Sequence, residues 1–186
     1  MVELQALWLP VLVSAAVVFV ASSFIHMALP WHKRDFRKTP DEEAFRAAVG
    51  PLRIPPGDYL VPCAASHKEM GSEEYAKKMR EGPVLVMTVL PNGPAAMGAS
   101  LAGWFVFNLA VGVFAAYVAG RALGEGAHYL AVFRFAGVTA FCCYAMGQWP
   151  ASIWFKRSWL TTLKNTVDGL VYGLLTGGVF GWLWPR

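Results

Sequence analysis

The sequence predicts an all-α membrane protein, four transmembrane helices carrying a small α/β cap on the cytoplasmic face. Three observations predict it. Of 186 residues, 56% are hydrophobic and only 15% charged, where a soluble domain carries about 25%. Charge is also segregated: nine of the twelve acidic residues fall between Asp35 and Glu81, and ten of the sixteen basic ones between Lys33 and Arg80. What remains comes in four runs, 4–29, 97–119, 129–154 and 162–184, each long enough to cross a bilayer at about 20 apolar residues. Core helices of a soluble protein are the alternative; four such lengths with Trp and Tyr at their ends favour the bilayer. The divisions are a first transmembrane helix (1–30), a cytoplasmic loop (31–96) and further helices over 97–120, 129–154 and 162–184.

The first run starts with Glu3 and no Lys or Arg, and it outlasts the 7–15 residues of a signal-peptide core. An uncleaved helix is expected, despite the small residues Ala21-Ser22-Ser23. It ends in "FIHMALPWHKRDFRK" (24–38). Trp31 is expected to anchor at the interface, and Lys33, Arg34, Arg37 and Lys38 form the collar that stops the helix. His26 and His32 are six apart with Pro30 between them, off the i, i+4 spacing that puts two ligands on one helix. Structural or solvated roles are therefore expected, with no metal and no cofactor. Cys63-x3-His67 is a common spacing, and three cysteines, two of them adjacent, imply no disulfide framework.

Seven basic residues (Lys33, Arg34, Arg37, Lys38, Lys156, Arg157, Lys164) flank one side of four spans, and Arg121 and Arg186 the other. The positive-inside bias then puts loop 31–96 in the cytoplasm and both termini outside, in the inner (plasma) membrane of a bacterium. The net charge of +4 does not point to nucleic acid, because the basic residues are interleaved with acids. The bilayer itself is the expected partner.

Within the loop, Thr39-Pro40-Asp41-Glu42-Glu43 predicts a helix to about Val49, capped by the threonine hydroxyl. Ser72-Glu73-Glu74 predicts another to about Arg80. Residues 58–61 suit a short strand; 83–90 suits a strand or a membrane-surface segment. No phosphate loop, nucleophile elbow or His-Glu-x-x-His is present.

The last run carries Gly169, Gly173, Gly177 and Gly181, a bare face on which another backbone can pack closely. The second run offers a matching row, Asn108, Gly112, Ala116 and Gly120. An intramolecular seam between these two helices is expected, with a homodimer or larger membrane complex through the last helix as the alternative. Beside the glycines runs a polar stripe containing Asn165 and Asp168. Arg134 lies some 14 Å from Asp168 in depth at about 1.5 Å per residue, so it is expected to reach the outer headgroups instead. His26, Gln148, Asn165 and Asp168 fall in one layer, roughly 5–9 Å below the cytoplasmic surface. They are expected to satisfy one another's hydrogen bonds there, with Asp168 ionised against a protonated His26.

"SIWFKRSWLTTLKNTVDGLVYGLLTGGVFGWLWP" (152–185) resembles the last span of a family of small bacterial four-helix membrane proteins, classed as a domain of unknown function. Trp154, Lys156, Arg157, Trp159, Asn165 and Gly177 carry the resemblance, as an aromatic-basic-aromatic turn, a polar helix start and a glycine-rich end. It implies the fold and no activity, cofactor or catalytic residue. The expected role is structural, assembly or accessory, through helix packing. The alternative is a small permease or proton-linked carrier with Asp168 in a polar path. A membrane enzyme using His32, Cys63 or His67 stands third, since these form no recognised arrangement.

Overall fold

The computed structural model describes residues 1–94 and 96–186. Two compact units emerge, Met1–Phe36 together with Ala96–Arg186, and Arg37–Ala95. In chain order the helices are α1 (Trp8–Met27), α2 (Glu42–Val49), α3 (His67–Met70), α4 (Glu73–Glu81), α5 (Met97–Ala122), α6 (Tyr129–Ala145), α7 (Trp149–Phe155) and α8 (Trp159–Trp182). The strands are β1 (Gly57–Val61) and β2 (Leu85–Val89).

The first unit is a bundle of α1, α5, α6 and α8. Three of its stretches, Leu4–Met27, Met97–Ala122 and Tyr129–Phe155, are long and apolar enough to cross a membrane, which is compatible with a multi-pass membrane protein. The fourth expected span is not among them. It forms α8, 24 residues long, but Lys164, Asn165, Thr166 and Asp168 crowd its first half. The third stretch is interrupted where a 3-10 turn at Met146–Gln148 joins α6 to α7, whose first turn holds Pro150. Proline there lacks an N–H that the helix start does not need.

The glycine row of α8 packs on α6, not on α5. A Cβ at Gly173 would meet the Gly137 carbonyl oxygen at 2.9 Å, and one at Gly177 the Phe133 carbonyl oxygen at 2.7 Å. At Gly169 it would meet Ala145 Cβ at 2.9 Å, and at Gly181 the Tyr129 ring at 2.7 Å. The row on α5 faces α1: a Cβ at Gly112 would reach Val11 Cγ1 at 3.2 Å, and one at Gly120 the Val2 carbonyl oxygen at 2.8 Å. Asn108 and Ala116 are buried in the same helix. The expected single α5–α8 seam is thus two seams, α1–α5 and α6–α8, and the α8 row has no bare face left for a second copy. The reason is connectivity: helices consecutive in the bundle pack side by side, while a glycine row states only that some backbone comes close.

Small residues fill the interior. Leu7, Ala115, Ala116, Ala119, Val132, Ala136 and Phe180 form one cluster, and Val18, Val111, Ala140, Tyr144 and Tyr172 another. At one end of the bundle Val2 N donates to the Gly120 carbonyl (2.8 Å) and Gly126 N to that of Pro185 (2.9 Å), while Trp184 Nε1 donates to the Gly124 carbonyl (2.9 Å). The end of α1 and the start of α8 lie at the other end.

The second unit pairs β1 and β2 antiparallel, Tyr59 opposite Met87, so 85–89 is strand. Asp41, rather than Thr39, caps α2: its carboxylate accepts from Ala44 N at 2.9 Å. The carboxylate lies one residue before Glu42, where the first free N–H groups point back at it. Ser72 caps α4 through Tyr75 N at 3.1 Å. The short α3, capped by Ser66, has too few residues to show a helical period.

Candidate functional site

The site begins where α1 fails. Ala28 N still bonds the Phe24 carbonyl at 2.9 Å, but Pro30 cannot extend a helix. The chain instead makes a tight 3-10 turn over Pro30–His32. That turn folds His32 back onto the helix it has left, so the rings of His26 and His32 stack, 4.3 Å apart and 3° from parallel. The six-residue spacing separates two side chains only while both ride one helix. Here they do not.

His32 bridges two carboxylates. Its Nδ1 lies 2.6 Å from Asp35 Oδ2 and its Nε2 2.7 Å from Asp168 Oδ2. Trp31 Nε1 donates to Asp168 Oδ1 at 3.1 Å. Lys164 Nζ donates to Asp35 Oδ1 and to the Trp31 carbonyl, both at 2.7 Å. Lys164 and Asp168 are four apart, hence on one face of α8, and that face grips the turn at two points. The side chains are well buried: 12% exposed for His32 and Lys164, 9% for Asp35 and 7% for Asp168. Burial alone would raise the Asp35 carboxyl, but the Lys164 ammonium and the His32 ring outweigh it and hold it below its ordinary value.

Behind Asp168 lies a cavity of about 230 Å³, lined by His26, Trp104, Phe107, Cys143, Tyr144, Gln148, Asn165, Asp168 and Tyr172. His26, Gln148, Asn165 and Asp168 thus meet around one space, but they do not satisfy one another as expected. Asp168 is bonded by Trp31 and His32, and Gln148 Oε1 accepts from Arg157 Nη1 at 3.2 Å. The physical reason is reach: the folded-back turn brings an indole and an imidazole to the carboxylate first. Tyr144 OH donates to Asn108 Oδ1 at 3.1 Å. Among the described residues, the Tyr172 hydroxyl and Asn108 Nδ2 are buried without a partner, a state that costs about 1–3 kcal/mol per group.

Arg134 is exposed on α6 beside Phe133 and Leu170 and makes no bond to Asp168. Cys63 and His67 are exposed in the other unit. Sequence reasoning placed none of Trp31, His32, Asp35 and Lys164 beside Asp168: it read Trp31 as an interface anchor, Lys164 as a flanking charge and His32 as a candidate apart from the polar cluster. Two signals point to them: Asp35 is the lone acid inside a basic collar, and Lys164 precedes Asp168 by one helical turn. One ligand atom each from His26, His32 and Asp168 lie within 4.8 Å of one another. The chain matches no protein-family model, no curated protein and no solved structure, so the site is interpreted on its own chemistry.

Proposed function

We propose that this chain is a four-span protein of the bacterial inner membrane that binds a small cation or polar solute in the pocket beside Asp168, as a carrier or receptor would. One observation carries the reading. Asp168 is buried with both oxygens engaged, and it borders a cavity that is also lined by His26, Asn165 and Tyr172, the last with a buried hydroxyl that lacks a partner. Helix packing requires no such space, and the glycine seams supply the packing elsewhere. Counting α8 as the fourth span is supported by its faces. Leu163, Val167, Leu170 and Leu174 are exposed while Asp168, Tyr172 and Thr176 are buried, so its polarity is turned inward. The basic collar supports a cytoplasmic Arg37–Ala95 unit.

Melting the detergent-solubilised protein against a panel of small cations and polar solutes tests the binding. A true ligand stabilises the folded state, by about 2.7 kcal/mol at a hundred times Kd. It should raise the melting temperature of the wild type and not of Asp168→Asn, and the same solute should then show flux in liposomes. A panel without effect leaves the second reading, a structural or accessory protein. That reading is favoured by the bonded chain Asp168–His32–Asp35–Lys164, which fastens the end of α1 to α8. Orientation is tested by single cysteines in a cysteine-free background. Positions near Val2 and Arg186 should label from outside intact cells with an impermeant thiol reagent, and Ser72 should not; labelling at Ser72 overturns the orientation.

A further inference from the structure

Deepening that pocket-binding reading, we propose that His26, His32 and Asp168 form a site for one divalent first-row transition-metal ion, with Zn2+ its simplest occupant. Their ligand atoms already lie within 4.8 Å of one another. Ligands arranged tetrahedrally at about 2.0–2.1 Å from zinc stand about 3.4 Å apart, so modest side-chain rotations close the site.

Orientation argues further than proximity. His26 Nδ1 lies 3.0 Å from the Ser22 carbonyl oxygen. A carbonyl only accepts, so Nδ1 holds the hydrogen and Nε2 presents its lone pair. His32 Nδ1 is held by Asp35 at 2.6 Å, and its Nε2 is aimed at Asp168 Oδ2. Trp31 holds the other oxygen of Asp168. Each ligand is therefore backed by an outer partner, respectively a backbone carbonyl, a carboxylate and an indole, as metal-binding side chains commonly are. A clamp between α1 and α8 would need His32 alone. His26 adds no hydrogen bond to it, since its one hydrogen bond stays within its own helix. The stacked rings must tilt so that their lone pairs converge, and His26, the more exposed of the two, has room to turn.

Charge and donor type narrow the occupant. The Lys164 ammonium pairs with Asp35, and His32 Nε2 faces Asp168 Oδ2; a divalent ion in place of the hydrogen between them keeps positive charge beside that carboxylate. The ion takes the place of the hydrogen between His32 Nε2 and Asp168 Oδ2, and that proton leaves to solvent. Two imidazoles and one carboxylate suit Zn2+, Fe2+ or Co2+, whereas Mg2+ and Ca2+ take oxygen ligands. Three protein ligands leave a coordination position open. His26, Asp168 and Tyr172 all line one cavity, so a water or solute oxygen on the metal has space beside them.

The test uses full-length protein in detergent, with Cys63, Cys142 and Cys143 changed to serine because exposed thiols bind metals themselves. After chelator treatment it is titrated with Zn2+ or Co2+. About one ion per chain should be retained, Co2+ should give the visible absorption of low coordination number, and Zn2+ should raise the melting temperature. Asp168→Asn and His26→Gln should each weaken binding about 100-fold or more, and Asp35→Asn about 10–100-fold. His26→Gln removes none of the clamp's hydrogen bonds, and an unchanged metal-free melting temperature separates its loss of metal from misfolding. Retention unchanged in His26→Gln, or no ion held by the wild type, overturns the proposal. If no metal binds but a solute stabilises wild type and not Asp168→Asn, the metal falls and the pocket function stands. If neither binds, both fall.

Discussion

In the bundle, Ala115, Ala116, Ala136 and Ala140 are fully buried while Phe24, Phe114 and Leu170 face outward. In the Arg37–Ala95 unit, α2, α3 and α4 bury no residue at all. The two units are held by different forces. The bundle keeps small and polar groups inside where backbones touch, with a few large side chains such as Leu7 and Phe180, and presents most of its large apolar side chains to the surroundings, as a lipid-facing fold does. The other unit relies on local devices: capped helices, i, i+4 pairs and one strand pair. Substitutions should therefore be felt across the whole bundle but only locally in the second unit.

The α6–α8 seam should show the largest effect. Gly177→Leu forces a branched side chain against the Phe133 carbonyl, where even a Cβ comes to 2.7 Å. A loss of about 3 kcal/mol or more is expected, read as a collapsed melting temperature or no folded protein. Leu174→Ala, on the exposed face, should be mild. Equal melting for the two would remove the seam.

Next comes Lys164→Met, which strips Asp35 of its ammonium at 9% exposure. Leaving that carboxylate underpaired should cost about 1–3 kcal/mol in a detergent melt, and Lys164→Arg should recover part of it. A neutral result would mean that the turn is held by Trp31 and His32 alone.

These two predictions also mark what the sequence could reveal. The long helices were legible because their runs are long and nearly free of charge, and the starts of α2 and α4 because acids stand in their first turns, although the cap of α2 is Asp41 and not the expected Thr39. The partner of the glycine row was not, since glycine records the closeness of a neighbour without its identity. The cluster was half legible. Asp168, Asn165, Gln148 and His26 stand out as polar residues in apolar runs, whereas His32 and Asp35 sit in a charged collar where such residues are ordinary. Only the turn after Met27, fixed by contacts with Lys164 more than 120 positions away, brings them to Asp168.

Within the second unit, Ser72→Ala should cost about 1 kcal/mol of helix stability. Hydrogen exchange should quicken across α4 and stay unchanged across α5, α6 and α8. Exchange that quickens equally across α5, α6 and α8 would show that the two units unfold together.

The smallest effect belongs to Glu74 and Lys78, one turn apart on α4 with Nζ and Oε1 at 2.8 Å. Their hydrogen bond and charge attraction hold Glu74 below its ordinary pKa and Lys78 above its own. A depressed carboxyl stabilises fully above its unfolded value and loses that contribution as pH falls through the folded one. A raised ammonium stabilises fully below its unfolded value and loses its contribution as pH rises through the folded one. The pair therefore gives a flat plateau between about pH 5 and 9, with losses only outside it. Both side chains are more than half exposed, so salt should erase what little there is. Exchange protection of α4, corrected for intrinsic rates, should be the same at about pH 6 in low salt and in about 1 M salt, within the change made by Ser72→Ala. It should dip slightly near pH 4 and less so in Glu74→Gln. A salt or pH effect larger than that of removing the Ser72 cap would mean that α4 is held by charge rather than by its own backbone, and the contrast between the two units would lose its basis.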